Sequence, residues 1–334
     1  MSTVDGLVGV FCGLTTLDVV HRSEHAPGRN EKVTATRQDV AAGGPAANAA
    51  VVFAALGGHA RLVTVLGTGA VAQIARADLE RHGVEVVDVA PESRADLGVS
   101  AIQVDAATGE RSVLSMDAAG RGPGTDAVSA RDADRLVADA HVLLLDGHHP
   151  ALARAFAGAA RRARVLLVVD AGRWRPVMGE LLPAATTVVA SADFRWHGAD
   201  GTVVGTTAPW FDLTHVQQVV THGPDPVQWW TSGATGEVGV PPVQAVDTLG
   251  AGDAFHGAFA YYAASDARRT GASGEGGEDA AALRRQLADA AAVAALRCSI
   301  VGPREWLDRL PPRGAPAEPS TGAPPVGEVS RRSR

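Results

Sequence analysis

Short apolar runs recur along this chain, and several are followed by stretches whose apolar positions repeat at helical spacing, with glycines near the junctions. Leu7 to Leu14 is continuously apolar and reads as a buried strand. Leu62 to Leu66, Val84 to Val89, Val142 to Leu145, Val165 to Val169, Thr186 to Val189 and Gln217 to Val220 read the same way. Helices are expected from Gly43 to about Leu56, Val71 to His82, Pro150 to about Arg162, Asp253 to about Ala264 and Ala280 to Arg297. This alternation predicts an α/β fold, a parallel sheet covered by helices. Val227 to Thr231 and Val238 to Val240 are expected to add an antiparallel edge.

Two interruptions break the alternation. The polar segment His21 to Asn30, with Pro27 and Gly28, reads as a turn, and Glu31 to Arg37 alternates like a short strand. Val99 to Val104 and Arg111 to Ser115 flank the turn Ala107-Thr108-Gly109. Together they predict a small β lid from segments at about 15–38 and 97–116. Asp117 to Val128 and Gly271 to Gly277 read as loops. From Pro311 onward the chain is Pro, Gly, Ser and Arg without periodicity, which predicts one domain over 1–312 and a disordered tail over 313–334.

Composition narrows the reading. Of 334 residues 46% are hydrophobic but only 4% aromatic, and 38 are Gly, so a core of small side chains is expected. A net charge of −7 without a basic stripe argues against nucleic acid or an anionic membrane as partner, though not against a small anionic substrate. Cys12 and Cys298 form neither a disulfide framework nor a zinc spacing. The apolar run at the N-terminus is too short for a secretion signal or a membrane span, so a cytoplasmic location is expected. A single lysine, Lys32, stands among 30 basic residues.

The chemistry concentrates in Asp247-Thr248-Leu249-Gly250-Ala251-Gly252-Asp253-Ala254-Phe255. Gly250 and Gly252 let the backbone turn tightly and approach a ligand. The unpaired N–H groups at the start of the following helix favour an anion. Asp253 at that helix start suits a base that takes a proton from an attacking hydroxyl during phosphoryl transfer. A plain helix cap is the competing use of the same residue.

Val246 to Phe255 closely resembles the C-terminal signature of the ribokinase-like (PfkB) sugar kinases. The resemblance extends over about residues 6 to 310 and implies a three-layer α/β/α sandwich with a mostly parallel sheet and a β lid. It implies that Asp253 is the general base and that Gly250, Ala251 and Gly252 form the anion hole. Gly43-Gly44-Pro45-Ala46-Ala47-Asn48 is similar to the family's N-terminal motif: Gly43 and Gly44 admit the sugar, and Asn48 both donates to and accepts from hydroxyls. Asp18 stands where these kinases grip two sugar hydroxyls.

Thr221 and Gly223 match the nucleotide-contacting loop, but Pro226 replaces its final glycine. Ser191 and Asp193 lie where the family usually has Asn-x-x-Glu near magnesium and phosphate. The last helix is similar to one bordering the adenine and, in some members, a monovalent cation, so Cys298 is a candidate there. Subgroup features point to ketohexokinases and sulfofructose kinases. On that likeness Lys32, Asn30 and His148 are further candidates for holding the sugar, with His148 at the position of a sulfofructose kinase arginine.

The expected activity is ATP- and Mg²⁺-dependent phosphorylation of a primary hydroxyl of fructose or a 6-modified fructose, with K⁺ as a further candidate cofactor and no metal held by the protein alone. A homodimer through the lid is expected. A nucleoside kinase is a second reading, disfavoured because segments 19–37 and 98–115 contain no aromatic residue to stack a base. A catalytically idle sugar-binding protein is a third, which the departures at Pro226 and Ser191 to Phe194 motivate.

Overall fold

A computed structural model describes residues 6–119, 126–197, 203–204, 213, 215–270 and 280–310. Its first strand, β1 (Val8–Cys12), is buried along its whole length because helices cover both sheet faces: Phe11 joins one layer, Val10 and Cys12 the other. β2 (Thr16–Ser23) and β3 (Arg37–Gly43) follow, then α1 (Pro45–Ala55), β4 (His59–Thr64), α2 (Ala70–Arg81) and β5 (Val84–Asp88). After β6 (Val99–Asp105) and β7 (Arg111–Leu114) come α3 (Ala130–Val137), β8 (Val142–Leu145), α4 (Pro150–Ala163), β9 (Leu166–Ala171), α5 (Met178–Ala184) and β10 (Thr187–Ser191). A two-stranded pair, β11 (Trp196–His197) and β12 (Val203–Val204), precedes β13 (Gln217–His222), β14 (Asp225–Trp230) and β15 (Thr235–Val238). α6 (Ala251–Thr270), α7 (Ala280–Cys298) and a 3-10 turn at Glu305–Arg309 complete the described chain.

The main sheet runs β15-β14-β13-β10-β9-β8-β1-β4-β5. It is parallel from β5 to β13, and β14 and β15 close one edge antiparallel. α1, α2, α6 and α7 pack on one face, and α3, α4 and α5 on the other. This is the ribokinase-like sandwich. As expected from composition, small residues set the helix spacing: a Cβ at Gly257 of α6 would lie 2.4 Å from the Ala49 carbonyl oxygen of α1. The lid is a separate four-stranded sheet, β3-β2-β6-β7, in which β2 and β6 are parallel.

The body matches the sequence reading closely, except that the last edge strand is Thr235–Val238 rather than Val238 to Val240; the lid requires more correction. β2 continues to Ser23, through residues read as the start of a turn, and the second lid strand is Arg37–Gly43 rather than 31–37. Residues 31–36 carry no regular structure. The lid sheet is only half buried, with polar side chains on its strands, so periodicity was a weak guide there. Two short helices, α3 and α5, were not foreseen, and α6 runs on to Thr270. The loop expected at 271–277 and the tail expected over 313–334 lie outside the described residues.

Candidate active site

The site forms where the parallel strands end and α1 and α6 begin. Gly44 caps α1 at φ +100°, and a Cβ there would sit 2.3 Å from the Leu14 carbonyl oxygen, so only glycine lets the helix start this close to the end of β1. Asp146, after β8, clamps the same junction: its Oδ2 accepts from the N–H of Leu14 at 2.8 Å and of Ala46 at 3.2 Å. Burial alone would raise the Asp146 carboxyl, but His148 and these N–H donors hold it well below the usual carboxylate range.

Gly250, at φ +71°, turns the chain into α6, so Asp253 falls in the helix's first turn. Asp253 Oδ2 accepts from Asn48 Nδ2 at 2.8 Å. Its carboxylate is thus engaged with α1. Above Gly252 a Cβ would meet nothing within 4 Å, so the start of α6 faces open space. His256, one turn on, pins the loop: its Nδ1 lies 2.7 Å from the Gly252 carbonyl oxygen and its Nε2 3.2 Å from that of Val189.

Asp18, on lid strand β2, accepts from Thr16 Oγ1 at 2.8 Å. A Cβ on Gly43 would overlap its carboxylate at 2.1 Å, which explains the first glycine of the pair. Asp18, Asn48 and Gly250 line one pocket with Leu249, Arg297, Arg304 and Trp306. The lid rests on the loop before α6: Thr248 N–H and Oγ1 donate to the Gly109 carbonyl at 3.3 and 3.0 Å, and Arg22 Nη2 donates to the Val246 carbonyl at 2.7 Å.

The electrostatics suit a base. Burial, then the nearby Asp170 charge, pushes the Asp253 carboxyl up to about 6 against the opposing pull of Asn48 and His256. A base poised near neutrality both ionises and accepts a proton effectively. Asp18 is also raised, first by burial, with Thr16, Ser100 and Arg304 resisting.

The structure thus brings together Asp18, Gly43, Gly44, Asn48, Gly250, Ala251, Gly252 and Asp253. It does not bring Asn30 and Lys32 there: both are exposed in the segment before β3 and neither lines the pocket. His148 faces Asp146 Oδ1 at 3.1 Å through Nδ1, and Arg175 contacts its Nε2. The nucleotide candidates form a second group. Ser191 and Thr221 are register partners at the ends of β10 and β13, Asp193 follows as an exposed residue, and Gly223 has open space above it.

Four charged groups at or beside the site escaped the sequence reading: Asp146, Asp170, Arg297 and Arg304. Asp146 directly follows β8 and Asp170 is the penultimate residue of β9, the strand ends at which a parallel sheet opens its cleft. Arg297 ends α7, and Arg304 follows Gly302-Pro303 at the far end of the chain, where nothing local marks it.

Asp170 and Asp253 are buried carboxylates whose charges oppose each other, with His256 Nε2 3.5 Å from Asp170 Oδ1; a divalent cation on a nucleotide would relieve the opposition further. Asp170 would be the residue to face an Mg²⁺ ion carried in by the nucleotide. K⁺ does not fit. Asp247, bonded through its N–H to the Cys298 carbonyl, is matched by Arg297 Nη2 at 3.3 Å and Arg22 Nη2 at 3.7 Å, and it accepts from the Leu249 and Gly302 N–H groups. Two guanidinium groups already supply the positive charge.

This fold with this site is that of a phosphotransferase acting on a hydroxyl. The family model for pfkB family carbohydrate kinases matches residues 10–308. An ATP-dependent ribose-1-phosphate kinase from Halopiger xanaduensis is 30% identical over 260 residues, 74% of this chain and 81% of that protein. A candidate ribokinase from Agrobacterium tumefaciens superposes with a TM-score of 0.71 at 26% identity, over 90% of this chain and 94% of that one. Ribokinase from Giardia lamblia gives a TM-score of 0.74 at 16% identity, over 92% and 98%. The chain belongs to the pfkB family of carbohydrate kinases and is an ATP-dependent carbohydrate kinase of ribokinase type.

Proposed function

We propose that the protein transfers the γ-phosphate of ATP to a primary hydroxyl of a ketohexose-like furanose, with Asp253 as general base. The observation that carries this reading is the Asn48–Asp253 hydrogen bond beside the pocket that Asp18 lines. Asp18 grips a vicinal pair of hydroxyls, Gly43 and Gly44 let the ring approach, and Asn48 orients the acceptor. Asp253 Oδ2 takes the hydroxyl proton as the oxygen bonds to phosphorus and ADP departs. N–H groups of Gly250, Ala251 and Gly252 neutralise the moving phosphoryl oxygens. Mg²⁺, when ATP brings it, offsets phosphate charge. Thr221 and Gly223 hold the nucleotide, with Ser191, Asp193 and Cys298 around it.

A neutral sugar is favoured because both pocket arginines are already matched, Arg297 by Asp247 and Arg304 by Asp78. The Halopiger relative favours a second reading, a sugar phosphate, for which Lys32 would have to swing inward from its exposed loop. The test measures ADP release with fructose, 6-sulfofructose, ribose and ribose-1-phosphate, in sodium and in potassium salts. Turnover of fructose at equal rates in both salts is expected. Preference for ribose-1-phosphate selects the second reading, and no turnover with any sugar rejects both.

The lid also carries the proposed homodimer contact. Val40, Val99, Val113, Leu114 and Met116 are exposed apolar residues on or just beyond its strands, and Leu114 is 77% exposed. Sedimentation of the wild type against Leu114→Asp checks it: a dimer that becomes monomeric is expected, and a monomeric wild type ends the idea.

A further inference from the structure

Asn48 is the side chain that touches the proposed base, and its amide has two ends of nearly equal size. Against a carboxylate only the NH₂ end is favourable; the carbonyl end would set oxygen against oxygen. Something must choose. Arg304 Nη1 donates to Asn48 Oδ1 at 3.1 Å, and a guanidinium has only donors, so it accepts only the carbonyl end. Arg304 is itself fixed: Nη2 donates to the Ala42 carbonyl at 2.7 Å and pairs with Asp78 Oδ2 at 3.3 Å. Asp78, on α2, also accepts from the Ala42 N–H at 3.0 Å. A continuous chain therefore runs Asp78–Arg304–Asn48–Asp253 through α2, the segment after α7, α1 and α6.

We propose that Arg304 is a positioning residue: it locks the Asn48 amide so that its NH₂ end donates to Asp253 and aims the carboxylate at the acceptor hydroxyl. This rests on the reading of Asp253 as the base.

Other groups around Asp253 bear on its protonation: Asp170 from β9, His256 from its own helix, Asp18 from the lid and Asn48 from α1. Of the group linked through Asn48, Arg304 is the nearest cation, and it also faces Asp18. Without it the amide is free to turn its carbonyl toward Asp253, and ionisation of that carboxyl becomes harder.

The test compares wild type, Arg304→Ala, Arg304→Lys and Asp78→Asn by kinetics and by a pH titration of the Asn48 side-chain NH₂ resonances in the unliganded protein, assigned with Asn48→Ala. Arg304→Ala is expected to lower kcat about 10-fold, the size of one charge-assisted hydrogen bond, with KM for ATP unchanged. It is also expected to move the acid limb of kcat/KM, and the Asn48 inflection, to higher pH. Arg304→Lys keeps a cationic donor and is expected to restore part of both. Asp78→Asn loosens Arg304 without touching Asn48, so it shifts both less, in the same direction, and it decides the matter if the alanine variant does not fold. Unchanged limb and inflection with only a lower Tm would make Arg304 a structural tie and overturn the proposal. A wild type without turnover, or a fully active Asp253→Asn, would instead remove the kinase reading of the site, while the Asn48 titration still decides whether Arg304 orients the amide.

Discussion

The two halves of the cleft are built differently. On the proposed acceptor side, Asp18, Asn48 and Asp253 each have a named partner, at 2.8 Å for Thr16–Asp18 and for Asn48–Asp253, and Gly43 and Gly44 fit against carboxylate and backbone atoms. On the side proposed to take the nucleotide, Thr221 Oγ1 reaches the Ala190 carbonyl only at 3.4 Å, Asp193 is exposed, and Gly223 has no neighbour within 4 Å of where a Cβ would stand. The contrast follows from the chemistry. A sugar hydroxyl must be aimed within fractions of an ångström, and only fixed side chains can do that before it binds. A triphosphate brings its own charge and metal, so its side of the cleft can stay open until it arrives.

The comparison breaks most sharply at Asp253. Asp253→Asn keeps the shape and the contact with Asn48 but loses proton acceptance, so kcat is expected to fall about 100- to 10,000-fold. The wild type should show a matching pH dependence. Because the base works only when ionised and its carboxyl is pushed up to about 6, kcat/KM is expected to fall as pH drops through that value. Stability runs the other way. The folded value lies above the ordinary aspartate value of 3.8, so this group opposes folding above about pH 6 and the opposition fades as pH falls toward 3.8. Asp253→Asn should therefore be at least as stable as wild type at pH 8, measured as Tm. Retained turnover, or a large loss of Tm, would show that the acceptor half is tied together for folding rather than for catalysis.

How much of this the sequence disclosed depends on how local each cause is. The loop at Gly250 to Asp253 stood out by its likeness to a family motif, since a glycine turn with an acid at a helix start also serves as a plain cap. Gly43, Gly44 and Asn48 were legible for the same reason, and the body strands because both of their faces are buried. Arg304 was not: its partners Asp78 and Asn48 lie 226 and 256 residues away, and no local pattern encodes such a pairing. The lid strands were misjudged at Arg37–Gly43 because a half-exposed sheet carries polar residues on both faces. Asn30 and Lys32 were chosen by likeness in order along the chain, and the exposed loop that holds them keeps them off the pocket wall.

Gly43 sharpens the comparison next. A methyl group there would overlap the Asp18 carboxylate, a side chain that can swing, whereas at Gly44 it would strike the Leu14 backbone, which cannot. Gly43→Ala should therefore fold and behave like Asp18→Asn, raising KM for the sugar about 10- to 100-fold through loss of charge-assisted hydrogen bonds. The double variant should be no worse than either single one, because both remove the same contact. Additive losses in steady-state kinetics would mean that Gly43 serves the sugar directly.

The smallest effects are expected on the open side. Thr221→Val removes a hydroxyl whose present bond is long, and Asp193→Asn removes an exposed charge whose backbone N–H, not its carboxylate, makes the local bond to Ser191 Oγ at 3.2 Å. Neither change leaves a buried group without a partner, so Tm should move little. Each is expected to raise KM for ATP about 2- to 10-fold, one hydrogen bond or one water-mediated metal contact, with KM for the sugar unchanged. Varying Mg²⁺ separates the two residues. If Asp193 holds metal-bound water, excess Mg²⁺ should recover much of the Asp193→Asn loss and none of the Thr221→Val loss. A change of several hundred-fold in either variant would mean that the nucleotide half is as tightly specified as the acceptor half, and the difference between them would then lie in the unliganded state alone.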